Sequence, residues 1–252
     1  MNDSFSGKVA LVTGGSRGIG KAIAMALAER GAEVILVGRN LDSLQAAEKE
    51  IEDRGGKATG LACHVGKMDQ IQRLFQEIQG HFGRLDMLVN NAGTNPYFGP
   101  VEDAEEWAFD KTFAVNLKGP FFLSAGAVKL MRETGAGAIV NVASIVALNP
   151  PKGQSLYAMT KAAMVSMTRS FARECGPDIR VNAVLPGVVD TQLAEALTQS
   201  KRVNELLTLT PSGRYGQPDE IVGGVLYLLS DAASYTTGTT LVMDGGTSIS
   251  GF

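Results

Sequence analysis

The sequence predicts an α/β fold, in which a single domain holds a doubly wound, seven-stranded parallel sheet with helices on both faces. Two observations support this prediction. Seven short runs of apolar and β-branched residues recur along the 252 residues, and most are apolar at successive positions, as strands buried between two helical layers are. Helix-like stretches separate the runs, and alternation of strand and helix is typical of a parallel sheet. No linker or low-complexity tract divides residues 1–252, which indicates one domain.

The predicted elements follow one another in a regular order. Helices are predicted over residues 18–30, 41–54, 67–82 and 157–174 and from Pro218, where a proline and two acids form a common helix start. Residues 187–216 are long for a loop, and we predict that they form a substrate lid. The predicted strands are KVALVT from Lys8, EVILVG from Glu33, ATGLACHV from Ala58, LDMLVN from Leu85, AIVNVA from Ala138, IRVNAVLP from Ile179 and TTLVMD from Thr239.

Composition and charge exclude several classes of function. The formal net charge is −3 and no run of Lys or Arg stands out, which disfavours a nucleic-acid partner. Cys63 and Cys175 are isolated thiols, typical of a reduced compartment, and His64 and His81 lack the ligand spacing of a metal site. The N-terminus lacks the build of a signal peptide, and no apolar run approaches the ~20 residues that span a bilayer. We therefore expect a cytoplasmic protein without metal or membrane partner.

A glycine-rich turn, TGGSRGIG, follows the first predicted strand directly and opens the first predicted helix. Glycines at such a turn let the backbone approach a pyrophosphate at the positive end of a helix. The spacing of Gly14, Gly18 and Gly20 is G-x-x-x-G-x-G rather than the commoner G-x-G-x-x-G. Its position after the first strand of an alternating sheet nevertheless indicates a dinucleotide site of the Rossmann-like kind.

Tyr157 and Lys161 lie four residues apart in the stretch SLYAMTKA. On a helix these positions share one face, which brings the ammonium near the phenol. A free phenol titrates near pKa ~10, and a nearby positive charge lowers that value. The pair therefore has the composition of a general acid/base, although the spacing alone also fits an ordinary helix face.

Several motifs in order resemble those of the short-chain dehydrogenases/reductases. They are TGGSRGIG from Thr13, NNAG over residues 90–93, Asn116 in FAVNLKG, Ser144 in VNVASIV, YAMTK from Tyr157 and PGVVDT from Pro186. The resemblance covers essentially the whole chain and is nearest in pattern to NADP-dependent carbonyl reductases and 3-oxoacyl-carrier-protein reductases. It implies that Tyr157 exchanges the proton, that Ser144 binds the substrate oxygen, that Lys161 tunes Tyr157 and binds ribose, and that Asn116 organises a water relay.

The same resemblance, together with the end of the second strand, predicts the cofactor NADP(H). The strand ends with Gly38 and Arg39, so that no acid stands where one would repel a 2′-phosphate. The family usually has an Asp where this chain has His64, and a neutral imidazole can accept a hydrogen bond in its place. The predicted cofactor residues are Gly14, Ser16, Arg17, Gly18, Ile19, Gly20, Arg39, Asn40, His64, Val65, Asn91, Ala92, Gly93, Tyr157, Lys161, Pro186, Gly187, Val189 and Thr191.

The substrate is predicted to be a small apolar or aromatic ketone or the corresponding secondary alcohol. The residues expected to face it are largely apolar with one amide, and they are Pro96, Tyr97, Ile145, Gln154, Val188 and Leu193. Two alternatives stay open: a 3-oxoacyl-carrier-protein reductase, and a catalytically silent protein that senses a nucleotide. A homotetramer is expected through long central helices from Phe109 and Ser155 and through the C-terminal segment.

Overall fold

Seven parallel strands form the centre of the structure in the order β3-β2-β1-β4-β5-β6-β7. This computed structural model describes residues 4–192 and 210–250. The predicted α/β sheet is confirmed, and each strand pairs in parallel with its neighbours. The strands are β1 (Val9–Thr13), β2 (Glu33–Gly38), β3 (Lys57–Ala62), β4 (Met87–Asn90), β5 (Gly137–Val142), β6 (Ile179–Pro186) and β7 (Thr240–Met243).

The helices that connect these strands begin and end close to their predicted bounds. The central helix expected from Phe109 begins earlier and is interrupted by a π-helical turn over Ala114–Lys118. The helices are α1 (Gly18–Ala28), α2 (Leu41–Glu52), α3 (Met68–His81), α4 (Glu106–Phe113), α5 (Gly119–Thr134), α6 (Ser155–Cys175) and α7 (Pro218–Leu229).

Strand β1 shows why the apolar runs of the sequence are continuous. Ala10 and Val12 point to one face of the sheet, where they pack with residues of α1, α2 and α7. Val9 and Leu11 point to the other face, which α3, α5 and α6 cover. Since successive side chains alternate between faces, a strand between two helical layers must be apolar at every position. Truncating the fully buried Leu11 to Ala would cost about 2–5 kcal/mol.

The strand order reverses between β1 and β4, and this reversal opens a crevice at the carboxyl ends of the two strands. Thr13 fixes the width of that crevice. Its hydroxyl oxygen accepts hydrogen bonds from the backbone N–H groups of Asn91 and Ala92 at 2.9 and 3.0 Å. In return, Nδ2 of Asn91 donates to the backbone oxygen of Thr13 at 2.9 Å. The first turn and the NNAG motif are therefore joined as one unit.

The predicted lid is described only at its two ends. Gly216 donates to the oxygen of Val188 at 3.0 Å, and Asp190 donates to the oxygen of Gly216 at 2.9 Å, so the two ends lie side by side. Residues 193–209, which include Leu193, lie outside the described part, and the lid stays a prediction. Within the described ranges no helix is long and apolar enough to cross a membrane. The same ranges hold no group of three His, Cys, Asp or Glu side chains suited to a metal ion.

Candidate active site

Ser144, Tyr157 and Lys161 meet at the carboxyl end of β5. Ser144 follows that strand, and Tyr157 and Lys161 lie on the first turns of α6. The Ser144 hydroxyl lies near enough to the Tyr157 side chain to influence its pKa. Lys161 is 3% exposed, and its Nζ donates to the backbone oxygen of Val142 at 2.8 Å. The three predicted catalytic side chains therefore form one cluster, held by the end of a central strand.

The electrostatics of this cluster differ from the sequence-based expectation. Burial raises the pKa of Tyr157 to about 12, and the hydrogen bond with Ser144 only partly opposes this rise. Burial lowers the pKa of Lys161 to about 8. The sequence predicted that Lys161 would depress the pKa of Tyr157, and in the chain alone this is wrong. The reason is position: Nζ lies 5.5 Å from the centre of the Tyr157 ring, over its face, and is held by Val142. Tyr157 is thus a protonated phenol at neutral pH.

Asn116 occupies the π-helical turn and is fully buried. Its Nδ2 donates to the backbone oxygen of Thr94 at 2.8 Å, and its Oδ1 accepts from the Thr94 N–H at the same distance. Nδ2 also lies 3.2 Å from the hydroxyl oxygen of Thr160. The amide is therefore occupied in joining the loop after β4 to α6. In this arrangement the side chain of Asn116 positions Thr94 and Thr160, and its part in a water relay stays a prediction.

A cleft of about 210 Å³ lies directly over the cluster of predicted catalytic side chains. Ser144, Tyr157 and Lys161 form its floor, and the predicted substrate residues Ile145, Gln154 and Val188 lie in its wall. Pro96 and Tyr97 do not line it. The Tyr97 hydroxyl donates instead to the backbone oxygen of Pro100, and the next residue, Phe98, reaches the cleft.

The wall residues that the sequence did not predict include Asn95, Thr247 and Ser248. Nδ2 of Asn95 lies 3.3 Å from Oε1 of Gln154, and its buried Oδ1 has no partner in the described part of the chain. Thr247 and Ser248 follow β7, where the carboxylate of Asp244 accepts from the Ser248 N–H at 2.7 Å. These residues belong to no short motif, and the sequence predicts only a subunit contact for the C-terminal segment. Only the folded chain brings them to the site.

A second cleft, of about 480 Å³, runs along the glycine turn toward the end of β2. Gly14 has φ +65°, and a Cβ on Gly20 would lie 2.2 Å from the oxygen of Gly14. Only glycine fits either position, so the turn stays tight and the N-terminus of α1 opens into the cleft. Unpaired backbone N–H groups at a helix start attract anions. The turn therefore fits the pyrophosphate of a dinucleotide.

The outer end of this cleft is electropositive. Arg39 and Arg17 are both exposed there, and Arg17 donates to the side chain of Gln192. Oδ1 of Asn40 caps α2 by accepting from the Ser43 N–H at 2.9 Å, which leaves the Nδ2 donors for the cleft. None of the described residues that line this cleft is an Asp or a Glu. Two guanidinium groups and an amide without a competing carboxylate fit a phosphate dianion.

The two clefts together account for the predicted cofactor residues. Ile19, Asn91, Gly93 and Thr191 line both, so the clefts are continuous. Gly20 is the exception, since it is buried beneath the turn. The predicted residues in the outer cleft are Gly14, Ser16, Arg17, Gly18, Arg39, Asn40, His64, Val65 and Ala92, and those in the inner cleft are Tyr157, Lys161, Pro186, Gly187 and Val189.

The chain is similar to known proteins in sequence and in fold. A family model described as "Enoyl-(Acyl carrier protein) reductase" matches residues 14–248. The human protein dehydrogenase/reductase SDR family member 4 is 38% identical over 247 residues, which cover 97% of this chain and 89% of the human one. The 3-oxoacyl-acyl-carrier-protein reductase of Thermotoga maritima is 39% identical over 244 residues, which cover 96% and 98%. The crystal structure of NADPH-dependent 3-quinuclidinone reductase from Rhodotorula rubra has a TM-score of 0.90 and 34% identity, with 97% and 92% coverage.

The fold and the site define an oxidoreductase that acts on alcohol and carbonyl groups. The chain belongs to the short-chain dehydrogenases/reductases, the family that its motifs resemble.

Proposed function

We propose that the protein is an NADP(H)-dependent enzyme that transfers a hydride between the nicotinamide and a small apolar or aromatic ketone or its alcohol. The observation that carries this proposal is the continuity of the two clefts through Ile19, Asn91, Gly93 and Thr191. One extended dinucleotide can thereby contact Arg39 at one end and approach Tyr157 at the other. The cofactor, when bound, supplies or accepts the hydride at the carbonyl carbon.

The residues of the cluster then divide the remaining work. In reduction, Tyr157 gives its proton to the carbonyl oxygen, which becomes the hydroxyl of the product, and the phenolate is left behind. Ser144 donates a hydrogen bond to the same oxygen and stabilises its developing charge. One N–H of the Lys161 ammonium donates to Val142, and two more remain. We assign these two to the ribose hydroxyls and to the water chain that returns a proton to Tyr157. We assign that water to the π-helical turn that carries Asn116.

NADP(H) is the preferred cofactor in this proposal because of the outer end of the cleft. Arg17, Arg39 and the Nδ2 group of Asn40 provide donors for a 2′-phosphate, and Gly38 stands where an acid would repel it. The name of the Rhodotorula rubra neighbour states NADPH dependence for that enzyme. Each hydrogen bond to a charged group contributes roughly 1.5–3 kcal/mol before solvent screening. After screening we expect about tenfold to a few hundredfold preference over NADH.

A carrier-protein substrate is the second candidate, favoured by the Thermotoga maritima relative. Acyl carrier proteins are acidic, so a reductase that uses them needs a basic docking face. Lys129, Arg132, Arg169 and Arg173 are exposed and supply some positive charge. The turns over residues 133–138 and 176–178 supply none, and the substrate cleft is small. A small ketone is therefore the better fit.

We also propose that the protein assembles as a homotetramer. Trp107, Phe109, Phe121 and Phe122 lie on α4 and α5, and each is at least 40% exposed. Clustered exposed aromatic residues are typical of contacts between subunits. Light scattering at micromolar concentration should give the tetramer mass, and a monomer mass would contradict this assembly.

The enzymatic proposal is tested by following NADPH oxidation with purified protein. The panel should hold cyclic and aromatic ketones, α-dicarbonyls and a carrier-bound 3-oxoacyl thioester, with NADH run in parallel. We expect the highest kcat/KM for a small apolar ketone with NADPH. Faster turnover of the carrier-bound substrate would favour the second candidate. Binding of NADPH without turnover of any substrate would favour a nucleotide-sensing protein.

A further inference from the structure

His64 lies in the wall of the cofactor cleft, at the far end from the catalytic cluster. It follows β3, which pairs with β2, so that His64 lies beyond the strand end that carries Gly38 and Arg39. Val65, Ala92 and Val115 line the same part of the cleft with apolar groups. A dinucleotide with its pyrophosphate on the glycine turn and its ribose at Arg39 places its purine in this apolar slot, with His64 at its edge. This placement rests on the function proposed above.

The backbone around His64 decides which ring nitrogen carries the proton. The N–H of Gly66 lies 3.1 Å from Nδ1 of His64 and can only donate, so Nδ1 must accept. Gly66 permits this close approach, because a Cβ there would lie 3.1 Å from the Cε1 of the ring. The backbone N–H of His64 donates to Oε1 of Gln70 at 2.7 Å and holds the residue in place. A neutral imidazole that accepts at Nδ1 carries its hydrogen on Nε2.

The charge state of the ring does not alter this conclusion. Burial lowers the pKa of His64, a hydrogen bond with the residue's own backbone opposes this, and the positive charges of Arg39, Lys67 and Lys111 lower it again. The net shift is downward and favours the neutral form. Nε2 would carry a hydrogen in the cationic form as well, so it is a donor in both states. Within residues 4–192 and 210–250, the hydrogen bonds of His64 to other residues involve its backbone N–H and Nδ1 and do not involve Nε2. The Nε2–H group of His64 is thus a donor that remains available to a ligand in the cleft.

We infer that His64 recognises the purine of the cofactor as a hydrogen-bond donor through Nε2 and does not accept from the exocyclic amino group of adenine. This reverses the sequence-based expectation, in which His64 replaced an acidic residue as an acceptor. The His64 side chain therefore does not recognise the 6-amino group of adenine. A purine with an acceptor at position 6 suits it better than adenine does at that contact.

The test compares NADP⁺ with its hypoxanthine analogue, nicotinamide hypoxanthine dinucleotide phosphate, which has a carbonyl in place of the 6-amino group. Dissociation constants measured by calorimetry give the ratio Kd(hypoxanthine)/Kd(adenine) for each protein, with no need for turnover. His64→Phe keeps a flat ring and removes the donor, and His64→Asp supplies only acceptors. We expect both variants to raise this ratio. The rise should be roughly three- to tenfold for His64→Phe, which corresponds to the loss of one hydrogen bond, and larger for His64→Asp.

Arg39→Ala serves as the matched control, because the 2′-phosphate is common to both ligands and both constants should rise without a change in their ratio. A lower ratio in His64→Phe would show that His64 accepts from adenine, and an unchanged ratio would show that it does not contact the base. Either result overturns the inference and leaves the proposed function standing. Failure of the unmodified protein to bind NADP⁺ at all would overturn both.

Discussion

The two ends of the cofactor cleft are built in different ways. At the catalytic end, Lys161 and Asn116 are buried and bonded to the backbone of other elements, through Val142 and Thr94. At the outer end, Arg17 and Arg39 are exposed, and their charges are directed at a ligand rather than at the core. The first construction fixes geometry for chemistry, whereas the second leaves donors available for recognition. Changes at the catalytic end should therefore affect turnover and folding, and changes to Arg17 or Arg39 at the outer end should affect only the choice of cofactor.

The largest effect is expected for Tyr157→Phe, which keeps the ring and removes the transferable proton. We expect kcat to fall by roughly 10²–10⁴-fold, the usual contribution of a general acid. NADPH binding, measured by fluorescence, should change little. Tyr97→Phe is the matched control, since the hydroxyl of Tyr97 bonds to Pro100 outside both clefts, and it should retain its turnover. If Tyr157→Phe kept most of its activity, the catalytic end would have been misassigned.

Lys161 should make stability depend on pH at the catalytic end. Its pKa is about 8 in the folded chain and 10.5 for a solvated lysine, so between these values the unfolded state binds more protons. The free energy of unfolding therefore rises as the pH rises from 8 to 10.5, by at most about 3 kcal/mol. Urea titrations over this pH range give the free energy of unfolding of the unmodified protein and of Lys161→Met. As the pH rises, the free energy of unfolding of the unmodified protein should increase relative to that of the variant. A constant difference would mean that the Lys161 ammonium is not desolvated.

The outer end is tested by the choice between NADPH and NADH. Arg39→Ala should lower kcat/KM for NADPH by about tenfold or more and leave NADH nearly unchanged, because only NADPH carries the 2′-phosphate. Gly38→Asp should turn the preference toward NADH. A Cβ on Gly38 would meet only the Leu44 side chain, at 3.3 Å, so a small shift admits it. Equal kcat/KM for both cofactors in the unmodified protein would contradict this account of the outer end.

Asn40 both caps a helix of the fold and lines the cofactor cleft, and we expect its replacement to have the smallest effect. Asn40→Ala removes the cap of α2 and the donors toward the cleft, so the free energy of unfolding should fall by about 1 kcal/mol and KM for NADPH should rise. Asn40→Ser keeps a capping oxygen and should raise KM alone. Thermal melts and steady-state kinetics separate the two effects. A destabilised Asn40→Ser would mean that the cap depends on more than the side-chain oxygen.

The sequence predicted most of the fold, and it singled out the side chains that the structure brings together at the end of β5, for physical reasons. Strands buried on both faces leave continuous apolar runs, and tight turns such as that at Gly14 demand glycine, so both are visible locally. Asn95, Thr247 and Ser248 were missed because their place in the cleft depends on packing between distant segments. The raised pKa of Tyr157 was also missed, since spacing brings Lys161 to the same helix face but does not fix where its ammonium points.

The π-helical turn over Ala114–Lys118 has a consequence for how this region can vary in length. Such a turn is an α-helix with one additional residue, closed here by a bond from the Gly119 N–H to the oxygen of Ala114. Deleting one residue within it would restore regular winding and rotate every later side chain by about 100° about the axis. Either Asn116 would then lose its hydrogen bonds to Thr94, or the apolar face of α5 would lose its packing against the sheet. Homologous sequences should accordingly accept substitutions in this turn far more readily than a one-residue gap.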